Sequence, residues 1–335
     1  MRAMPLRTFG PNDRPLDLPA GDRLIIRVPA SAANLGPAMD GLGMSVDLRL
    51  TVTVSAAAAA AAASARVAHE GTTYLRDMLR SFGVAVAEWA FVAENEIPVE
   101  RGLGGSGAIR LAALLAAAAV RRDEPDTDRL LADASALEGH PDNVAASLCG
   151  GVVASAALDD GRIAHVQLGA LTGLSVALAI PEVRVSTNEA RRILPPSIAH
   201  ADARFTASRV ALLVAAIAER RFDLLDGATR DRLHQPYRLQ LVPGAAAALD
   251  HAREAGALAA FLSGAGATLA ALGEPAAAGS VAAAMVASLE EHGTRAEHRV
   301  VRLDGEGANA TALAPDGTQM WGWSWYAPAG DGQAD

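Results

Sequence analysis

Apolar and polar positions alternate over 23–28 (RLIIRV), 46–54 (VDLRLTVTV) and 89–94 (WAFVAE), a period of two that predicts strands. Elsewhere the spacing changes to three and four, which predicts helices over 72–82, 107–121 and 127–137. Two apolar runs, 150–157 and 162–168, flank Asp159-Asp160-Gly161 and read as a hairpin. A second series then begins. Residues 173–181 (GLSVALAIP) predict a strand, and 186–194 a short helix capped by Ser186. Helices are predicted over 201–220 and 244–256. Residues 260–272 read as a strand, a glycine turn and a second apolar run, before helix 276–292 and strand 296–303. Strands and helices mix without strict βαβ alternation. The pattern therefore predicts an α+β chain of two lobes that divide near 168–173. The expected boundaries are a loose extension over 1–22, an N-terminal domain over 23–170, a C-terminal domain over 171–304 and a Gly/Ala-rich tail over 305–335.

Composition narrows the function classes. Apolar residues make up 51% of the 335, enough for a sizeable core. A net charge of −9 with no basic cluster argues against a nucleic-acid partner. The single cysteine, Cys149, excludes disulfides and cysteine metal sites and fits a reducing, cytoplasmic setting. The first 22 residues lack the apolar stretch of a signal peptide. The alanine runs at 56–63 and 112–119 are too short to cross a bilayer, so no membrane partner is expected. All 29 basic residues are arginine. Without lysine the P-loop, the protein-kinase fold and Schiff-base chemistry are excluded.

The chemistry concentrates in PVERGLGGSGA, that is Pro98, Val99, Glu100, Arg101, Gly102, Leu103, Gly104, Gly105, Ser106, Gly107 and Ala108, which runs directly into an Ala/Leu-rich helix. Unpartnered backbone N–H groups and the helix dipole make such a start suited to phosphate. Gly102, Gly104 and Gly107 also fit the dinucleotide fingerprint, but no buried strand precedes them. Asp126, at the right distance for the ribose acid, opens a helix instead. A purely structural glycine turn is the other reading. Ser106 and Glu138 offer hard oxygens suited to Mg²⁺ beside phosphate, or else a helix cap and a surface acid.

Four segments together carry a resemblance: RVPASAANLGPAMDGLGMSVDL (27–48), NEIPVERGLGGSGA (95–108), LEGHPDNVAASLCGG (137–151) and FLSGAGATLAAL (261–272). In order and spacing the chain resembles the GHMP small-molecule kinases. The H-P-D-N segment, STNEARRILP (186–195) and HQPYRLQLVP (234–243) make it similar to the homoserine kinases among them. The resemblance implies a ribosomal-protein-S5-like N-terminal domain and a ferredoxin-like C-terminal domain, with ATP along Pro98–Ala108. It implies Mg²⁺ on Ser106 and Glu138, and L-homoserine bordered by Asn34, Asp40, His140, Asn143, Thr187, Arg191 and Arg238. Arginine binds carboxylate bidentately, which suits the last two; Arg192, beside Arg191, is the alternative. Asp40, Ser106, Glu138 and Arg191 are the implied catalytic group, and Ser263, Gly264, Ala265 and Gly266 the third-motif loop. Family members often form homodimers. The chain departs from the family pattern at Gly105 (usually Ser), Ala38 (usually Gly), Met39 (usually Phe) and Ala267 (usually Pro). The departures keep two rivals open: a GHMP kinase for another small alcohol such as mevalonate, and a non-catalytic binding member.

Overall fold

A computed structural model of the chain describes residues 22–56, 70–82, 84, 89–121, 126–169 and 171–324. All but Asp22 of the expected N-terminal extension, and all but Ala56 of the first alanine run, lie outside the described residues.

In chain order the N-terminal lobe holds β1 (Arg23–Ala33), β2 (Leu42–Ala56), α1 (Glu70–Ser81), β3 (Trp89–Asn95), α2 (Gly105–Arg121), α3 (Thr127–Glu138), α4 (Asp142–Cys149), β4 (Val152–Ala157) and β5 (Ile163–Gly169). The two-residue period of β1 buries Leu24, Ile26 and Val28 completely. They oppose Val54, Val52 and Leu50 of antiparallel β2. The register shifts between Pro29 and Ala30, where proline offers no N–H to the ladder. Beyond that bulge Ala30–Ala33 run on, wholly buried, towards the loop that carries Asn34. Leu111, Leu115, Ala108 and Ala112 give α2 a buried stripe against the sheet.

The C-terminal lobe holds β6 (Ser175–Pro181), α5 (Thr187–Arg192), α6 (His200–Ala218), α7 (Leu225–Ala228), α8 (Gln235–Arg238), α9 (Ala245–Glu254), β7 (Ala259–Leu262), β8 (Leu269–Gly273), α10 (Pro275–Glu291) and β9 (Ala296–Arg302). Its antiparallel sheet runs β7-β8-β6-β9. Every residue of β6 is buried. Val176, Leu178 and Ile180 join the core shared with the N-terminal lobe, while Ala177 and Ala179 join the core under α9 and α10. Two covered faces explain why this strand reads as a continuous apolar run.

The Gly/Ala-rich tail is corrected by the structure. Asn309–Leu313 (β10) and Gln319–Ser324 (β11) form a hairpin that returns to the N-terminal lobe. There β10 pairs antiparallel with β1, giving the order β11-β10-β1-β2-β4-β5, with β3 also on β2. Ala310 and Ala312 point into the core. Asp304, 3% exposed, anchors the crossing through an ion pair with Arg49 and by accepting from the Glu306 and Gly307 amides at 3.0 and 2.8 Å. Alanine and threonine strands carry little apolar contrast, so the period of two was hidden. Among the described residues no helix is long and apolar enough to cross a membrane.

Cys149 is fully buried at the end of α4, and burial pushes its thiol up to about 12. At pH 8 only about one thiol in ten thousand is then ionised, and the thiolate is the reactive form. Native protein is expected to resist iodoacetamide at that pH and to take up one equivalent after denaturation, as mass spectrometry would show.

Candidate active site

Three loops and two helix ends meet in a cleft of about 480 Å³ between the lobes. The first loop follows β1. Asn34, Leu35, Gly36 and Asp40 adopt left-handed backbone (φ 70°, 41°, 92° and 57°). Asn34 holds the loop in that shape. Its Oδ1 accepts the Asp40 amide at 3.0 Å and its Nδ2 donates to the Gly264 carbonyl at 2.8 Å. Ala38 is not among the left-handed residues, so alanine for glycine costs nothing at that position.

The second loop runs into α2. Gly102 and Gly104 have φ of +77° and +68°. A Cβ on Gly102 would lie 2.3 Å from the Ser263 carbonyl, and one on Gly104 2.3 Å from Ser31 Oγ. These glycines are required by close packing. A Cβ on Gly105, by contrast, would make only ordinary van der Waals contact, 3.5 Å from Ile97 Cγ2. The first intrahelical bond joins the Ala108 amide to the Gly104 carbonyl at 2.9 Å. The amides of Gly105, Ser106 and Gly107 therefore face the cleft end of α2 with no carbonyl one turn back. Val99 through Ser106 line the cleft. Pro98, Gly107 and Ala108 are not among the lining residues. Pro98 lines a cavity behind the loop, a Cβ on Gly107 would face Val144, and Ala108 is in the core.

The third element is the turn after α3. Gly139 caps that helix in left-handed conformation (φ 89°) and so reverses the chain immediately after Glu138. Ser106 Oγ donates to Glu138 Oε2 at 3.1 Å, beside the free amides of α2. Arg110, one turn after Ser106, pairs with the same carboxylate. His140 Nδ1 lies 2.6 Å from Asp142 Oδ1 and its Nε2 4.0 Å from Glu138 Oε1. A hydroxyl and a carboxylate in contact at a helix N-terminus suit a hard divalent cation. Asp40, His140 and Asp142 also bring donor atoms within 4.8 Å of one another, with Asp40 engaged by Arg191 as Glu138 is by Arg110.

The C-terminal lobe supplies the cations. Arg191, near the end of α5, sets Nη2 3.0 and 3.1 Å from the two Asp40 oxygens. Arg192 does not line the cleft; Thr187 does. Arg238, 3% exposed, donates through Nε to the Ala190 carbonyl at 3.1 Å and through Nη1 to the Gly264 carbonyl at 3.3 Å. Among the described residues no carboxylate lies within ion-pair distance of it. Burial pulls Arg238 below the usual guanidinium value, and Asp40 pulls it back up.

Other expected residues have different partners from those implied. Asn143 lines the cleft, but its Nδ2 is spent on Ser31 O and Oγ at 3.1 and 3.0 Å. Ser263 lies outside the cleft lining; its Oγ donates to the Gly102 carbonyl at 2.7 Å and clips the third loop to the second. The sequence reading missed Arg110 and Asp142. Four-residue spacing from Ser106 and the aspartate within H-P-D-N were the available signals.

The chain is similar to known proteins over most of its length. Residues 72–151 match the model for the GHMP kinases N terminal domain, and 213–291 that for the GHMP kinases C terminal. Fold, loops and both matches define the class, a GHMP kinase. Homoserine kinase from Desulfitobacterium hafniense is 36% identical over 84% of this chain and 98% of its own. That from Thermus thermophilus is 39% identical over 77% and 87%. The chain belongs to the homoserine kinase family. A homoserine kinase structure from Cytophaga hutchinsonii superposes over 91% of this chain and 100% of its own, with a TM-score of 0.73 and 24% identity. A mevalonate kinase from L. major, 12% identical with a TM-score of 0.61 over 88% of this chain and 99% of its own, shares the fold alone.

Proposed function

We propose that the protein transfers the γ-phosphoryl group of ATP to the side-chain hydroxyl of L-homoserine, giving O-phospho-L-homoserine for threonine synthesis. The observation that carries the reading is two electropositive groups facing one cleft. On one side stand the free amides of α2; on the other stands Arg238, buried and, among the described residues, without a carboxylate partner. A phosphate chain answers the first and a substrate carboxylate the second.

The N-terminal lobe holds the nucleotide, its phosphates along Val99–Ser106. Ser106 and Glu138 hold Mg²⁺, which when bound supplies neutralisation of the phosphate charge. The homoserine carboxylate takes Arg238 and draws Arg191 from its pairing with Asp40, whose freed carboxylate takes the ammonium group. His140, Asn143 and Thr187 border the same space. The hydroxyl then faces the γ-phosphorus; its oxygen bonds phosphorus as the bond to the β–γ bridging oxygen breaks, ADP leaves and the hydroxyl proton passes to solvent. Phosphoryl transfer through a loose transition state needs alignment and charge stabilisation more than a strong base.

A coupled ADP-release assay with ATP, Mg²⁺ and a panel of L-homoserine, mevalonate, galactose and shikimate tests this. Turnover is expected with L-homoserine alone. Activity with another alcohol would overturn the amino-acid pocket, and silence across the panel with ATP still bound would identify a non-catalytic binder.

A further inference from the structure

His234 and Asp231 stand behind the cleft, and the scheme above uses neither. His234 is fully exposed to nothing but protein: its accessible surface is 0%. It lies just before α8, four residues ahead of Arg238, whose amide donates to the His234 carbonyl at 3.0 Å. His234 Nε2 is 2.6 Å from the Gly36 carbonyl, and Nδ1 is 3.5 Å from Arg238 Nη1. A carbonyl only accepts and a guanidinium only donates. One neutral tautomer meets both demands, with the proton on Nε2 and the lone pair of Nδ1 towards Arg238.

Each end of this bridge is held. Asp231 builds the turn beneath it, accepting the Leu233 amide on Oδ1 at 2.8 Å and the His234 and Gln235 amides on Oδ2 at 2.8 and 2.7 Å. Gly36 is pinned by packing, since a Cβ there would lie 2.2 Å from the Thr229 carbonyl.

We propose that neutral His234 is a positioning residue: it ties the Arg238 guanidinium to the loop that carries Asn34 and Asp40, so that the groups for the substrate's carboxylate and ammonium keep one spacing. The inference rests on the homoserine reading of the cleft. Protonation would put a second cation beside Arg238 and remove the acceptor it faces. Burial holds the imidazole below the ordinary value of 6.5, and Arg238 pushes the same way; Asp231, the Gly36 carbonyl and Asp40 oppose them. Arg191, Asp142, Glu138, Arg101 and Glu100 are the other charged groups lining the cleft. The folded-state value is lowered, so His234 is neutral at pH 7. It takes its proton only as the pH falls below the ordinary value, and the fold loses stability over the same range.

The test is the KM for L-homoserine of the full chain from about pH 5 to about pH 8, beside a ¹⁵N titration of the His234 imidazole. In the wild type KM is expected to rise as the pH falls below about 6.5, with kcat nearly constant. His234→Leu is expected to raise KM about tenfold at pH 8 and to show no further rise in acid, so that wild type approaches it as the pH falls. His234→Gln keeps a donor for Gly36 but cannot take a proton; its KM should stay near wild type at pH 8 and lose the acid rise. His140 of the cleft is present in all three proteins, so a difference between them reports on position 234. The ¹⁵N shifts should show a neutral Nε2–H ring at pH 7 in the substrate-free protein. An unchanged KM in folded His234→Leu, an acid rise that persists in His234→Gln, or a doubly protonated ring at pH 7 would each overturn the role. Should His234→Leu not fold, the other two measurements decide. An active wild type with insensitive variants rejects His234 alone. A wild type silent towards homoserine rejects the reading beneath it, and this role with it.

Discussion

Glu138→Ala is expected to lower kcat by about a hundred- to a thousandfold, the scale seen when one group stabilising transition-state charge is removed. Two effects act together. The hydroxyl of Ser106 loses the carboxylate 3.1 Å away that completes the proposed cation site. Arg110 loses its ion-pair partner and stands beside the amides of α2. Glu138 ends α3 at the cleft wall and Gly139 caps the helix through its own backbone, so the melting temperature should move by only a few degrees. Glu138→Gln separates charge from shape: it can still accept from Ser106, yet should be almost as inactive. The measurement is single-turnover phosphoryl transfer with a parallel thermal melt. Retained turnover would move the metal to Asp40, His140 and Asp142, whose donor atoms also lie together.

Arg238→Leu is expected to raise the KM for L-homoserine by about a hundred- to a thousandfold while leaving that for ATP within about twofold. Truncating one partner of a buried charge pair costs about 3–5 kcal/mol, because the other charge is left stranded. Here the stranded group is the substrate carboxylate. The variant also frees the Ala190 and Gly264 carbonyls, which Arg238 Nε and Nη1 satisfy at 3.1 and 3.3 Å, so some stability should go with the affinity. Arg238→Lys should not rescue it, since an ammonium group cannot reach two carbonyls and grip a carboxylate in one plane. Initial-rate kinetics with each substrate varied in turn decide the matter; equal rises in both KM values would mean that Arg238 serves the fold and not the amino acid.

The chemistry-bearing loops were legible because each is short and dense in glycine, hydroxyl and charge. Ser106 follows the glycines immediately, and the structure brings it to Glu138 across 32 residues of chain. The α+β class and both lobes were legible for a similar reason: strands such as β6 are apolar on two faces and announce themselves. What sequence could not show was which polar groups are consumed internally. Asn34, Asn143 and Ser263 have the side chains of substrate ligands, yet Asn34 bonds the Asp40 amide and Gly264, Asn143 bonds Ser31, and Ser263 bonds Gly102. A hydrogen bond between distant loops leaves no periodicity. His234 was hidden in the same way, within a segment whose arginine drew the attention.

The hairpin β10–β11 has a consequence for how the molecule is made. β1 is made before its partner on the outer side, β10, and the whole C-terminal lobe lies between them in the chain. Throughout synthesis the alternating face of β1 therefore presents an open ladder, the kind of edge that pairs with other nascent chains. Closing it late, across nearly 300 residues of intervening sequence, is a slow, high-contact-order step. The N-terminal lobe becomes a finished body only after the lobe that follows it has been built.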